Sequence, residues 1–169
     1  MDAAIPPRIS VIIPVRNRGG VRLENCLRSL AWQEMAEGSA EIILSDFGSE
    51  PTWAEELERL AADHGARIVR TDTDEIWNRS RALNVGIRSA RGHYVLCTDA
   101  DMIFAPDFLA MLLNAQQQHK DQALAVCRCR DLPESVPEQP WTRDDVSGLV
   151  TQSTYRERLG TGARDTWTE

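Results

Sequence analysis

Short apolar runs that suit β-strands alternate along this chain with stretches whose apolar residues recur at helical spacing. The run at residues 9–14 is nearly continuous and β-branched, as in a strand that is covered on both faces. Similar runs at 41–45, 66–70, 94–98 and 123–130 predict four more strands. We therefore expect an α/β fold in which an open, mostly parallel sheet is flanked by helices on both faces.

Four helices are predicted between these strands. Apolar residues repeat with a period of three to four from Leu23 to about Gln33, and again from Thr52 onwards. The stretch from about Asn78 to Ala90 is helical in pattern, and Pro106 suits the first turn of a helix that ends near His119. Each helix would serve as the crossover between two parallel strands.

Length and charge exclude several classes of protein. A chain of 169 residues with a net charge of −7 predicts one acidic domain, without general affinity for nucleic acid or an anionic membrane. The longest apolar runs are too short to span a bilayer, and the first residues lack the pattern of a signal peptide. We expect cytoplasmic residence and reduced thiols at the 4 cysteines.

The composition changes after residue 130. Three prolines and several acidic residues follow, and apolar side chains are scattered. The sequence thus predicts a core at residues 1–130 and a loop-rich segment at residues 131–169. Neither a P-loop nor a Gly-x-Gly-x-x-Gly fingerprint occurs in the chain.

Two aspartates one residue apart, Asp99 and Asp101, follow the predicted strand at 94–98. Like charges in one place are costly unless a cation, hydrogen-bond donors or water compensate them. Either the pair forms a turn before the helix at Pro106, or it holds a hard cation such as Mn2+ or Mg2+ beside substrate phosphates. Asp46 ends another strand, and parallel strands bind ligands at their carboxyl ends, which favours the metal interpretation.

Three segments resemble the family-two glycosyltransferases of the GT-A fold. They are residues 11–17 (VIIPVRN), 41–49 (EIILSDFGS) and 81–101, which ends in Thr-Asp-Ala-Asp. Their order and spacing match the nucleotide-sugar half of that family over roughly residues 8–130. The Asp-Ala-Asp-Met form is similar to members that take galactose, N-acetylgalactosamine or glucuronic acid from UDP-sugars.

The resemblance implies a base pocket near the first strand. Pro14, Val15 and Arg16 would line it, and Asp46 would accept a hydrogen bond from uracil N3–H. A carboxylate paired with a ring N–H discriminates against bases that lack this donor. Phe47 stands where the family usually has a second acid, so the pocket departs from the family pattern at that position.

The resemblance also implies a diphosphate and metal site. Arg81 and Asn84 lie one helical turn apart and would face the diphosphate and the ribose. In the motif Asp99-Ala100-Asp101, the second aspartate would bind Mn2+ (or Mg2+) and the first would hold the ribose or a metal-bound water. The site would thus comprise substrate-binding and metal-binding residues around one UDP-sugar.

Other side chains near these segments have ambiguous roles. Trp77 either stacks on a sugar face or packs into the core at the helix entrance. We interpret Arg79 and Arg88 as residues of a solvated helix face. The three histidines lack acidic neighbours that would orient them for catalysis.

The expected reaction moves a sugar from a UDP-sugar to an acceptor hydroxyl, on a carbohydrate or another molecule, with inversion at the anomeric carbon. A hydroxyl acceptor needs a general base, for which Asp144, Asp145 and Glu157 are the candidates that the sequence offers. Two alternatives stay open: a non-catalytic nucleotide-sugar-binding or partner-binding module, and a sugar nucleotidyltransferase. The sequence does not indicate an oligomeric state.

Overall fold

The computed structural model describes residues 6–119, 124–127 and 129–155. Its elements are β1 (Ile9–Val15), α1 (Gly20–Ala31), β2 (Ala40–Phe47), α2 (Pro51–Asp63), β3 (Arg67–Thr71), α3 (Arg79–Ser89), β4 (Tyr94–Cys97), α4 (Phe108–Gln118), β5 (Arg130–Asp131), α5 (Arg143–Gln152) and β6 (Thr154–Tyr155). Among these residues, no helix combines the length and the apolar character that crossing a membrane requires.

The main sheet confirms the predicted fold class. Its 4 strands run in the order β3-β2-β1-β4, and every neighbouring pair is parallel. Ile9 pairs with Ala40 of β2 on one side and with Tyr94 of β4 on the other. All seven residues of β1 are buried, because the strand has a partner on each side and helices on each face. The continuous apolar run of the sequence thus reports the central strand.

Helices cover the two faces of the sheet unequally. Alternate residues of β1 face α1, α2 and α4 and form the main core with them. Its members include Ile9, Val11, Ile13, Val15, Leu23, Leu27, Leu57, Leu60, Leu109 and Leu113. Each such side chain, fully buried, contributes about 1.5–3 kcal/mol relative to exposure. The opposite face carries α3.

Helix α3 lies unusually close to the sheet. A Cβ atom built on Gly86 would approach Cγ2 of Ile12 to 2.4 Å and Cβ of Ser45 to 3.3 Å. Ala82, one turn earlier, is fully buried, and its carbonyl accepts a hydrogen bond from Oγ of Ser45 at 2.7 Å. Small residues on one face of α3 therefore let its backbone approach the carboxyl half of β1 and β2.

The predicted fifth strand at 123–130 is wrong for most of its described residues. Residues 124–127 have no regular structure, and Leu124 and Val126 are 90% and 71% exposed. Only Arg130–Asp131 forms a strand, and it pairs with β6 rather than with the main sheet. Apolar alternation predicts a half-buried strand only where a neighbouring strand satisfies the backbone, and β4 pairs only with β1 within the described residues.

Residues 131–155, the described part of the predicted loop-rich segment, include a helix that the prediction did not contain. Helix α5 begins with a capping box, in which the side chains and backbone N–H groups of Thr142 and Asp145 bond each other reciprocally. Trp141, Val146 and Leu149 are buried. Asn25 of α1 fixes the entry to α5, because its side chain donates to the carbonyl of Gln139 and accepts from the backbone N–H of Trp141.

Glu41 ties together the amino ends of three strands. Oε1 accepts hydrogen bonds of 2.6 Å from the hydroxyl of Ser10 and from the backbone N–H of Arg91, and Oε2 accepts one of 3.2 Å from Arg67. Burial opposes ionisation of this carboxyl. The donors outweigh burial, so the pKa of Glu41 lies below its ordinary value.

Two glycines in the interiors of helices, Gly86 and Gly148, make a matched test of the close contact of α3. Gly86→Ala should lower the free energy of unfolding by about 1–3 kcal/mol because the added methyl meets Ile12. Gly148→Ala in α5 has open space around it and should raise the same quantity by about 0.5–1 kcal/mol. Denaturant unfolding of both variants measures the difference, and equal stabilisation by both would contradict the packing of α3.

A second prediction concerns acid stability. Because the pKa of Glu41 is lower in the folded protein than in the unfolded chain, its stabilisation is complete above the ordinary pKa of a glutamate carboxyl. It is lost as the pH falls through the lower folded-state pKa. Unfolding at a series of pH values should therefore show the penalty of Glu41→Gln shrinking in acid. Glu55→Gln, at an exposed position of α2, should show no such trend.

Candidate functional site

A cleft of about 460 Å³ lies at the carboxyl ends of β1 and β4. Its lining consists of Pro14, Val15, Arg16, Asn17, Arg18, Trp77, Arg79, Asp99, Ala100 and Asp101. The chain proceeds from β1 to β2 on one side and reaches β4 on the other, so the strand order reverses here. Open α/β sheets bind ligands at such a reversal because the loops after the two strands diverge to opposite faces.

The loop after β1 is held to the loop after β2. Asn17 adopts a positive φ of 49°, a conformation that asparagine tolerates better than most residues. Its backbone N–H donates to Oγ of Ser49 at 2.8 Å, and its side-chain oxygen accepts from the backbone N–H of Glu50 at 2.8 Å. These bonds fix the direction in which Arg16 and Arg18 leave the strand.

The loop after β4 separates a buried alanine from two exposed acids. Ala100 is buried in the core, whereas the side chains of Asp99 and Asp101 are 57% and 40% exposed. Ala100 and Asp101 lie in a turn that follows β4. Both carboxylates line the cleft beside the buried alanine.

Helix α1 and the residues just after it anchor this acidic loop. Cys26 and Ser29 of α1, and Gln33 beyond its end, bond backbone groups of the segment that follows β4. The Cys26 thiol contacts the carbonyl of Asp99, Oγ of Ser29 accepts from the backbone N–H of Phe104, and Gln33 bonds both the carbonyl of Ala105 and the N–H of Leu109. Burial raises the pKa of the Cys26 thiol to about 12, so this group stays protonated. The position of the carboxylates therefore depends on α1, the helix that follows β1, and β1 is the strand next to β4.

Each aspartate of the pair has an arginine partner. Nε and Nη2 of Arg79 donate to Oδ1 of Asp99 at 3.0 and 2.7 Å. Nη2 of Arg18 donates to Oδ2 of Asp101 at 3.1 Å. Arg79 is exposed, as predicted for a solvated helix face, but it lines the cleft and is engaged there. Sequence reasoning missed both arginines, because their relation to the acids exists only once the strands are side by side.

Asp46 occupies a different environment from the other predicted residues. It is fully buried, and its oxygens accept hydrogen bonds from Nε of Arg70 at 2.8 Å and from the backbone N–H of Ser49 at 3.0 Å. These contacts hold the turn after β2 and the neighbouring strand β3. Asp46 does not line the cleft, and its contact with uracil stays a prediction.

Arg81 and Asn84 also lie outside the lining of the cleft. Arg81 pairs with Glu75, and its guanidinium carbon lies 5.4 Å from the centre of the Phe47 ring. Asn84 is exposed one turn further along α3. Their contact with a diphosphate stays a prediction. Trp77 does line the cleft and is 40% exposed. Its ring packs edge to face against the ring of Phe47, with 6.1 Å between the ring centres.

The donor set at the cleft suits a hard divalent cation that shares its coordination with a ligand. Asp99 and Asp101 supply carboxylate oxygens, and the described residues contain no cluster of three or more histidine, cysteine or acidic side chains. A closed protein cage is therefore not present among them. Mg2+ and Mn2+ are commonly bound through one or two carboxylates together with substrate phosphates and water, and the exposed pair fits that arrangement.

Neither of the two described candidate bases, Asp144 and Asp145, lines the cleft. Asp145 caps α5, where the backbone N–H and then the hydroxyl of Thr142 lower its pKa. Asp144 is exposed on the same helix, and Glu157 lies outside the described residues. Among the residues that the structure describes, no histidine lines the cleft.

The anchor of the acidic loop is testable at Ser29. This side chain is buried, so Ser29→Ala leaves the backbone N–H of Phe104 without its acceptor and should cost about 1–3 kcal/mol of unfolding free energy. Ser147→Ala, at an exposed site of α5, should change stability by less than about 0.5 kcal/mol. Hydrogen exchange should show faster exchange of the Phe104 amide in the first variant. Unchanged protection of that amide would contradict the anchor.

Comparison with known proteins gives relatives over most of the chain. The undecaprenyl-phosphate 4-deoxy-4-formamido-L-arabinose transferase of Edwardsiella ictaluri is 30% identical over 142 residues, which are 84% of this chain and 42% of that protein. This chain spans less than half the length of the curated relatives it matches.

Solved structures share the fold. The 1–349 fragment of S. aureus TarS matches with a TM-score of 0.59 and 22% identity, covering 67% of this chain and 33% of that one. The mannosyltransferase PcManGT from Pyrobaculum calidifontis, in complex with GDP-Man and Mn2+, matches with a TM-score of 0.52 and 27% identity, covering 66% and 32%.

A family model settles the membership that the motifs indicated. The model described as glycosyl transferase family 2 matches residues 10–165, which include the acidic loop and all of the main sheet except Ile9, the first residue of β1. This chain belongs to glycosyltransferase family 2.

Proposed function

We propose that this chain is the donor-binding part of a glycosyltransferase. The enzyme would move a sugar from a UDP-sugar to an acceptor, with Mn2+ or Mg2+ as cofactor. One observation carries the proposal. In a chain of glycosyltransferase family 2, Asp99 and Asp101 line a cleft at the reversal of strand order, opposite three arginines. This is the place and the chemistry for a nucleoside diphosphate with a divalent cation.

The cleft divides into two sides with different chemistry. Pro14, Val15 and Trp77 offer apolar surface for a base or a sugar face. Arg16, Arg18 and Arg79 offer guanidinium groups, whose planar donors match phosphate oxygens. We place the base towards the first group and the diphosphate between the arginines and the acids. Uridine is proposed from the motif resemblance, and GDP is the comparison nucleotide because PcManGT was solved with GDP-Man.

Asp101, with Asp99 beside it, would hold the cation. When bound, a divalent cation offsets the negative charge that develops on the departing diphosphate, as a Lewis acid does. The arginines would orient the diphosphate, and the rigid loop after β4 would keep the carboxylates in place without reorganisation. The donor half of the reaction is thereby accounted for by residues of this chain.

The acceptor decides whether a base is needed. A hydroxyl acceptor must lose a proton to a nearby carboxylate or histidine, whereas a phosphate monoester is already anionic at neutral pH. The name of the Edwardsiella relative points to a polyprenyl phosphate as an acceptor class. We propose direct displacement with inversion for either acceptor. Cytoplasmic residence stays a prediction from composition.

The donor site is tested by calorimetric titration of UDP with and without Mn2+. Wild-type protein should bind UDP more tightly in Mn2+. Mn2+ should increase the affinity for UDP at least about tenfold less in Asp101→Ala than in the wild type, because the substitution deletes a proposed metal ligand. Asp107→Ala is the matched control, since Asp107 is exposed in the same connection and makes no side-chain cap bond to α4. GDP binding in preference to UDP would contradict the uridine assignment, and an unchanged Mn2+ effect in Asp101→Ala would contradict the metal assignment.

Catalysis is a separate question from binding. Release of UDP from UDP-sugars in the presence of a hydroxyl acceptor or a polyprenyl phosphate measures turnover. We expect turnover that depends on Mn2+ and falls with Asp101→Ala. Donor binding without turnover for any acceptor would favour the non-catalytic binding module instead.

A further inference from the structure

The ion pairs between the arginines and the acids have a consequence for how ligands enter the cleft. In the free protein, each of the two carboxylates that are proposed to hold the cation already forms an ion pair with an arginine. Arg79 reaches Asp99 from the first turn of α3, and Arg18 reaches Asp101 from the loop after β1. A cation that approaches the acids must therefore displace positive charge or share the carboxylates with it.

These pairs are weak enough to exchange. The four side chains are between 40% and 57% exposed, and water and dissolved ions weaken ion pairs of this exposure. Guanidinium bonds to phosphate are charge-assisted and are stronger when two parallel N–H groups engage. A diphosphate in the cleft thus competes well with the aspartates for the same arginines.

Charge balance favours joint entry of the two ligands. Three arginines and two aspartates line the cleft, so its charges are almost compensated. A divalent cation alone would face the repulsion of three guanidinium groups, and a diphosphate alone would face two carboxylates. Together, the cation and the diphosphate restore the compensation, with each sign placed against its opposite.

We propose that Arg18 and Arg79 exchange partners when the donor binds. Each arginine breaks its ion pair with an aspartate and bonds diphosphate oxygens, and the carboxylates become free to bind the cation. The inference rests on the proposed function and adds that the binding of the nucleotide and the binding of the cation are coupled. Nucleotide and cation bind cooperatively, and each raises the affinity for the other by the same factor. The arginines act as counterions of the acids in the free protein and as ligands of the nucleotide in the complex.

Substitution of Arg79 should change the two affinities in opposite directions. Arg79→Gln removes the competitor of the cation, so the affinity for Mn2+ without nucleotide should rise about two- to fivefold. The same change removes a phosphate contact, so the affinity for UDP at saturating Mn2+ should fall about tenfold. Mn2+ binding is read by the paramagnetic resonance of the free ion, and UDP binding by calorimetry. Arg18→Gln should behave in the same way.

Arg88→Gln is the matched control, because Arg88 is an exposed arginine on the same helix and does not line the cleft. It should leave both affinities unchanged. A fall or no change in Mn2+ affinity for both cleft variants would overturn the exchange of partners, as would unchanged UDP affinity. Wild-type protein that binds neither Mn2+ nor UDP would instead reject the proposed function, so the two failures are distinguishable.

Discussion

The parallel pairing of β1 with β4 is the constraint on which the site depends. It places the ends of two strands side by side although about 80 residues of sequence separate them, with Ile12 opposite Cys97 and Pro14 and Asp99 just beyond. The crossovers on either side of this pair lie on opposite faces of the sheet, which opens the cleft between them. Three segments meet at this reversal: Arg16 and Arg18 come from the loop after β1, the acids come from the loop after β4, and Arg79 comes from the first turn of α3.

The scaffold supplies the order that charged groups in a cleft need. Ser29 of α1 and Gln33, just beyond the end of that helix, bond the segment that follows β4, and Asn17 joins the loops that follow β1 and β2. Asp46 is part of this support, since its buried carboxylate holds Arg70 and the turn at Ser49. The result is a cleft whose walls are fixed by backbone hydrogen bonds, while its exposed ion pairs stay free to exchange.

The fold was predictable because its strongest signals are local. Residues 9–14 have the pattern of a strand covered on both faces, and they form such a strand. The helical periodicity predicts the positions of α1 to α4 correctly. The strand at 123–130 failed because alternation does not report whether a partner strand is available. Helix α5 was missed although Thr142 and Asp145 have the spacing of a capping box, since the prolines around them outweighed that short signal.

The site was predictable only in part. The family resemblance named Pro14, Val15 and Arg16, and these residues line one cleft with the Asp99-Ala100-Asp101 motif, whose place after a strand is recognisable in sequence. The roles of Arg18 and Arg79 depend on which acid each can reach, and no spacing along the chain encodes that distance. Asp46 shows the converse, since its position at a strand end was clear but its burial against Arg70 was not.

The central claim is that a nucleoside diphosphate and a divalent cation occupy the cleft between β1 and β4. Nuclear magnetic resonance of the backbone amides during addition of Mn2+ in the presence of UDP tests it directly, because the paramagnetic ion broadens nearby signals most. We predict that broadening is centred on residues 14–18 and 99–101. Broadening centred on the amino ends of the strands, near Arg8 and Ser39, would contradict the account, as would the absence of any localised effect.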